Sequence, residues 1–173
     1  MFLTDEYLYR LQEASPPTAW RKKIEVYILK GDQIVVGHLK KDNVYMPAGG
    51  GVEKGQSLES AAKMECLEEI AVRIANPVLI SKETFKVDWY KIVAAGGPLG
   101  DKSRKRMRKY RGQEIHSMKA DFVEIDKRYW GGEDGERMTP VAMRRNKLIN
   151  TLRSNNPHAS QLNAYRIRMI KLI

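Results

Sequence analysis

The sequence predicts an α/β fold, a mixed β-sheet with helices packed on it. Three observations carry this. Runs rich in β-branched and aromatic residues occur at 24–40, 76–87 and 114–125. A glycine-rich loop leads into a well-marked helix between the first of these runs and the later ones. A further helical pattern begins at Thr139. That order leaves a sheet whose apolar faces helices must cover. The chain has 173 residues, enough for one domain with a sizeable core.

Taken in order, residues 4–14 read as a short helix with Thr4 or Asp5 as its cap, stopped by Ser15-Pro16-Pro17. "IEVYILK" (24–30) and "QIVVGHLK" (33–40) are strands joined by Gly31-Asp32, a hairpin signal. "VYM" (44–46) is a short strand that ends at Pro47. "AGGGVEKGQS" (48–57) is the glycine-rich loop, and Ser57 caps the helix "SLESAAKMECLEEI". "NPVLISKETFKV" and "EIHSMKADFVEI" are strands, and the long connection between them, 94–112, is a functional or disordered segment. "RYWGGEDGERM" is a loop. "TPVAMRRNKLINTLR" is a helix with Thr139 as cap and Pro140 in its first turn, placing Val141, Leu148, Ile149 and Leu152 on one face. "NNP" ends it. The tail "AYRIRMIKLI" fits a strand by alternation and a helix by the spacing of Leu162, Tyr165, Met169 and Leu172.

The composition is that of a soluble globular protein, 42% hydrophobic and 30% charged. No apolar run approaches the roughly 18–20 residues of a membrane span, so no membrane association is expected. The opening "MFLTDEYLYR" carries two acids where a secretory leader is basic. Cys66 is the single cysteine, which excludes an intrachain disulfide and makes the cytoplasm the expected compartment.

The net charge is +10, unevenly spread. Residues 102–111, "KSRKRMRKYR", hold seven cations and no acid, and residues 137–173 hold eight cations and no acid. Taking these fifteen from the total leaves the rest at −5. The expected organisation is therefore one domain over 1–173, with a basic insertion around 94–112 and a basic C-terminal segment 137–173. Such segments attract polyanions; the alternative is a solvated surface that serves solubility alone.

The helix carries Glu65, Glu68 and Glu69. At about 100° per residue all three fall within roughly a 100° sector, where like charges repel. Mg²⁺ relieves that repulsion and favours carboxylate and phosphate oxygens. The opposite side offers Met64, Leu67 and Ile70 for docking. The glycine loop allows close backbone approach and carbonyl ligation. An ordinary solvated acidic face is the competing reading.

Residues 50–72, "GGVEKGQSLESAAKMECLEEIAV", resemble the Nudix box: Gly, five residues, Glu, seven residues, Arg-Glu, an aliphatic, any residue, Glu-Glu, any residue, Gly, an aliphatic. Gly50, Glu65, Glu68, Glu69 and Val72 match at full spacing, Cys66 stands at an aliphatic position, and "VYMPAGG" resembles the approach to the box. Three positions depart: Gln56 for the first Glu, Met64 for the Arg and Ala71 for the second Gly. The resemblance implies the Nudix α/β/α sandwich and hydrolysis of a diphosphate bond in a compound linked to a nucleoside diphosphate. It implies Mg²⁺ or Mn²⁺ held by Glu65, Glu68 and Glu69 with the Gly49 carbonyl. It makes Glu65 a general base, with Glu114 the alternative from a later loop. In the family the arginine fixes the catalytic glutamate by charge-assisted hydrogen bonds. Met64 cannot, and loss of such support typically costs on the order of 10–100-fold at metal sites. An inactive Nudix module that binds nucleotide or RNA is thus the second hypothesis, and a basic nucleic-acid binder with an incidental fold the third.

For the substrate, "YRGQEIHSMKADF" resembles the Gly-Gln strand start of Nudix enzymes acting on dinucleoside polyphosphates or RNA 5′ ends. Arg108, Tyr110 and Arg111 would contact phosphates and stack on a base. Arg21, Lys40 and Lys41 would add phosphate contacts, each also reading as an ordinary surface cation. Tyr45 and Trp89 read as core. His38, His116 and His158 show no metal-ligand spacing. The expected partner is a nucleotide polyphosphate, with RNA 5′-end processing (decapping) as the nearest variant.

Overall fold

The structure is a computed structural model and describes residues 17–86, 105–106, 109–129, 138–154 and 160–173. The expected helix at 4–14, Trp89, Arg108, His158, the "NNP" stop and most of the 94–112 connection and the 128–138 loop lie outside these residues. The chain divides into two compact units, Met1–Lys22 with Glu83–Ile115, and Lys23–Lys82 with His116–Ile173.

The strands are β1 (Trp20–Lys30), β2 (Gln33–Leu39), β3 (Val44–Met46), β4 (Val72–Lys86), β5 (Gly112–Ile125) and β6 (Thr139–Arg144). The helices are α1 (Leu58–Ile70), α2 (Arg145–Ser154) and α3 (Ser160–Leu172), with a 3₁₀ turn at Lys127–Tyr129. Strand order is β3-β2-β1-β5-β4, and β6 pairs with β2. The β1–β2 hairpin closes through Gly31, whose φ of 60° is the left-handed conformation that a two-residue hairpin turn requires.

That hairpin then forks. Only Ile28, Leu29 and Lys30 pair with β2. Beyond them β2 takes β3 antiparallel, Gly37 opposite Met46. The edge of β1 so released takes the glycine loop, with Val26 opposite Ala48 and Lys23 opposite Gly51. The fork is what strings Ala48–Gly51 along a central strand. Because β6 lines β2 from Gln33 to His38, β1 and β3 must share the other edge of β2.

Alternation along β1 sends Ile24, Val26 and Ile28 to one face of the sheet. There they pack with Val35, Val72, Ile74, Met118 and Ala120 against Ala61, Ala62, Cys66 and Ile70 of α1. The other face carries Glu25 and Tyr27. Glu25 meets Arg166 of α3, and Ser117 of β5 shares a 2.6 Å hydrogen bond with Tyr165 of α3. Within this unit α1 and α3 therefore lie on opposite faces of the sheet, an α/β/α arrangement. Among the described residues no helix is long and apolar enough to cross a membrane.

Two expectations are corrected. Thr139–Arg144 is strand, not the first turns of a helix: the free edge of β2 gives 139–144 a six-pair antiparallel ladder, and Thr139 caps nothing. Helix begins only at Arg145, where Leu148 and Leu152 are buried. The docking side of α1 is Ala61, Ala62, Cys66 and Ile70; Met64 is 36% exposed. Small side chains bring this helix close to the sheet, and Met64 and Leu67 are left lining an open cleft. The tail is helical, with Asn163, Tyr165, Arg166, Met169 and Ile170 buried and Leu172 70% exposed.

Candidate active site

The site is built from the glycine loop and α1. Ser57 caps the helix, accepting from the amide of Ser60 at 3.1 Å. The amide of Ile24 donates to the carbonyl of Gly50 at 2.9 Å, and that of Val26 to the carbonyl of Ala48 at 2.8 Å. Both carbonyls thus serve β1. Gly49, between them, turns its N–H and C=O the other way by strand alternation. Its N–H donates to Glu69 Oε2 at 2.8 Å.

Each of these glycines is required by its surroundings. A Cβ at Gly49 would strike the Ile24 carbonyl, and a Cβ at Gly50 would lie on the carboxylate of Glu65. Glu65 and Glu69 are therefore seated, half-buried, on two consecutive glycines, while Glu68 is exposed. Among the described residues no three His, Cys, Asp or Glu side chains are gathered about one point as a ready metal site. The oxygen donors present are two seated carboxylates, one mobile-length carboxylate at Glu68 and the outward-turned Gly49 carbonyl.

Burial raises the Glu69 carboxyl above its ordinary range. The Gly49 amide and Lys23 oppose this, and Glu25 and Glu68 add to it. Lys23 stands opposite Gly51 with its ammonium 3.9 Å from Glu25. Glu25 is itself 1% exposed and is held by the Arg166 guanidinium at 2.5 and 3.1 Å. Lys23, Glu25 and Arg166 were absent from the sequence reading. The signal was available in Glu25, a charge within the otherwise apolar run of β1, which demands a buried partner. Cys66 is fully buried, and burial first, then Glu69 and Glu65, push its thiol far up, so it is inert.

The departures from the box have definite surroundings. Gln56 Oε1 accepts from the Glu53 amide at 3.0 Å, while its Nε2 lies 3.9 Å from Met64 Sδ. Two of the three departing positions therefore touch each other. Ala71, the third, has φ 56°, the left-handed conformation that glycine adopts at lowest cost.

The remaining candidates lie on other elements. Glu114 is half-buried on β5, Arg21 half-buried on β1, Tyr110 half-buried and Arg111 exposed just before β5. All four belong to the smaller unit, whereas the glutamates belong to the larger. Lys40 and Lys41 are exposed in the β2–β3 turn. Tyr45 stacks on His38 at 4.1 Å across β2 and β3. His38 Nε2 is 3.0 Å from Asn43 Oδ1, and His116 is buried. A cavity of about 580 Å³ is lined by Ser60, Lys63, Met64, Leu67, Arg73 and Ile74, and none of Glu65, Glu68 and Glu69 lines it.

No protein-family profile and no curated protein matches the chain. Solved structures do. An ADP compounds hydrolase superposes over 90% of this chain and 73% of its own, with a TM-score of 0.59 and 13% identity. A NUDIX hydrolase from Nitrosomonas europaea covers 86% of this chain and 90% of its own, at 0.56 and 12%. MutT, in a study of Aliivibrio salmonicida and Vibrio cholerae, covers 87% and 94%, at 0.53 and 16%. The chain has the Nudix fold, as the box spacing implied.

Proposed function

We propose that this chain is a divalent-metal-dependent Nudix pyrophosphohydrolase that cleaves a diphosphate bond in nucleoside diphosphate-linked compounds, with nucleotide polyphosphates or RNA 5′ ends as its substrate class. One observation carries the reading: two glutamates of the box, Glu65 and Glu69, are seated on the two consecutive glycines of its loop. The hydrolases of like fold, among them an ADP compounds hydrolase, support it. The buried single cysteine supports a cytoplasmic setting.

Glu65, Glu68, Glu69 and the Gly49 carbonyl would hold Mg²⁺ or Mn²⁺. They are hard oxygen donors, the Gly49 carbonyl is left over by β1, and a cation would relieve the burial of the Glu69 charge. Bound there, such an ion would neutralise phosphate charge and acidify a water. Glu65 is the proposed general base, with Glu114 the second candidate. Lys23 balances charge beside Glu69. Arg21, Lys40, Lys41, Arg108, Tyr110 and Arg111 are the proposed phosphate and base contacts.

The deciding experiment measures phosphate release with and without Mg²⁺ or Mn²⁺. Its substrates are nucleoside triphosphates, dinucleoside polyphosphates, ADP-ribose, and 5′-triphosphate or capped RNA. Metal-dependent turnover that disappears in Glu69→Gln is the expected result. Because Glu65 is also a proposed metal ligand, Glu114→Gln decides the base: a large loss of kcat there assigns the role to Glu114, and an unchanged kcat leaves it to Glu65. A folded protein that binds nucleotide or RNA and turns over none of these substrates would sink the enzyme in favour of an inactive binding module.

A further inference from the structure

The smaller unit holds an aromatic and basic cluster. The Arg111 amide donates to the Ala19 carbonyl at 2.8 Å, and its guanidinium carbon stands 5.7 Å from the centre of the Trp20 ring. The next residue is glycine for a reason: a Cβ at Gly112 would press on the Trp20 indole and on the Phe85 carbonyl. The indole thus lies against bare backbone at its edge and beneath a cation. One residue earlier, the Tyr110 amide donates to the Arg106 carbonyl at 2.9 Å, and the Lys109 ammonium stands 5.3 Å from the Tyr110 ring. Trp20 and Tyr110 are half-buried, which fixes them, while Arg106, Lys109 and Arg111 are exposed.

Two aromatic rings, each paired with a cation and chained through neighbouring residues, repeat the chemistry of a nucleotide strand: a base face and a phosphate, then another. A mononucleotide has one base to offer. Cations at such spacing without rings would attract any polyanion; rings add the stacking that selects bases.

We propose that Trp20, Lys109, Tyr110 and Arg111 form a platform for single-stranded RNA, the rings stacking bases and the cations facing phosphates. The ligand of this platform is then a strand rather than a mononucleotide. It rests on the hydrolase reading only for what the bound end then undergoes.

The test is fluorescence anisotropy of the full chain with a labelled, unstructured RNA of about ten nucleotides, a length within the reach of one such site. EDTA is present, so binding is read without turnover, and a failed platform and a failed hydrolase give separate results. Trp20→Leu should weaken binding roughly 5- to 100-fold, the loss of one stacked base, and Trp20→Phe should retain most of it. Arg111→Gln should reduce the slope of log affinity against log salt by about 0.7, one phosphate contact on a single strand. Should Trp20→Leu fail to fold, Tyr110→Leu and Arg111→Gln decide on the same readout. Binding that charge variants weaken but ring variants leave within about 2-fold would overturn the platform, because only general electrostatics would remain. Free ATP or a dinucleoside polyphosphate matching the RNA in affinity would overturn it too, since the site would then read a small nucleotide rather than a strand.

Discussion

Gln56 and Met64 touch, so the two charged positions that the box loses are lost as a pair. An arginine placed alone at 64 would face a neutral amide, and a glutamate placed alone at 56 would face a thioether. Contacting residues are non-additive. The expectation is that Gln56→Glu with Met64→Arg melts above the sum of the two single shifts and binds Mn²⁺ more tightly than either single variant. Additive melting temperatures would show that the contact carries no coupling. Ala71 is a separate case. Its amide donates to Leu67 O at 3.0 Å while its φ is 56°, so the end of α1 turns left-handed on a residue with a Cβ. That conformation costs an L-residue about 1–2 kcal/mol, partly offset by glycine's greater freedom when unfolded. Ala71→Gly should therefore raise the melting temperature by about 2–4 °C, equivalent to roughly 1 kcal/mol in a chain of this size. The sequence showed that Ala71 departs from the box; only the backbone angle shows that the departure is strained.

At the scale of elements, Asp126 ties the end of α1 to β4 and β5. Its amide donates to the Ala71 carbonyl at 2.8 Å, and its carboxylate accepts from Arg128 at 2.7 and 2.9 Å and from Arg73 at 2.8 Å. Hydrogen bonds from Arg128 first, then Arg73, hold the carboxyl well below its ordinary range against the opposing effect of burial. A folded-state depression means the stabilisation is present above the unfolded value and is lost as pH falls. Asp126→Asn should thus melt below the wild type at neutral pH, and the gap should close from about pH 4 downward. A constant gap across that range would rule out the charge. The same scale holds the largest misreading. Thr139-Pro140 has the chemistry of a helix start, yet Thr139 and Val141 are also β-branched residues suited to a strand. Pro140 pairs opposite Gly37 on a strand that, among the described residues, has β2 as its partner, a position where a missing N–H is tolerated. Local propensity was balanced, and the vacant edge of β2 decided it.

Across the whole molecule, the Glu25–Arg166 pair joins a central strand to the last helix over 141 residues of sequence. Both groups are nearly fully buried, so removing one leaves an uncompensated charge. Arg166→Met should cost about 3–5 kcal/mol in urea unfolding, with much of it recovered in Glu25→Leu/Arg166→Met. Equal losses in the single and double variants would show that the cost is packing alone. The pair also indicates what each level of description decides. The order of strands, the glycine loop, the cap at Ser57 and the spacing of the glutamates are local, set by turn chemistry, propensity and the helical repeat, and were legible in the sequence. From them came a mixed sheet with helices packed on it and the Nudix resemblance, and the resemblance in turn implied the α/β/α sandwich and the metal-site candidates. The seating of Glu65 and Glu69 on Gly50 and Gly49, the fork that frees the glycine loop for β1, the strand at 139–144, and the partners of Glu25 and Trp20 were not legible. Each depends on which groups distant in sequence come within contact, and no periodicity or propensity within one segment encodes that distance.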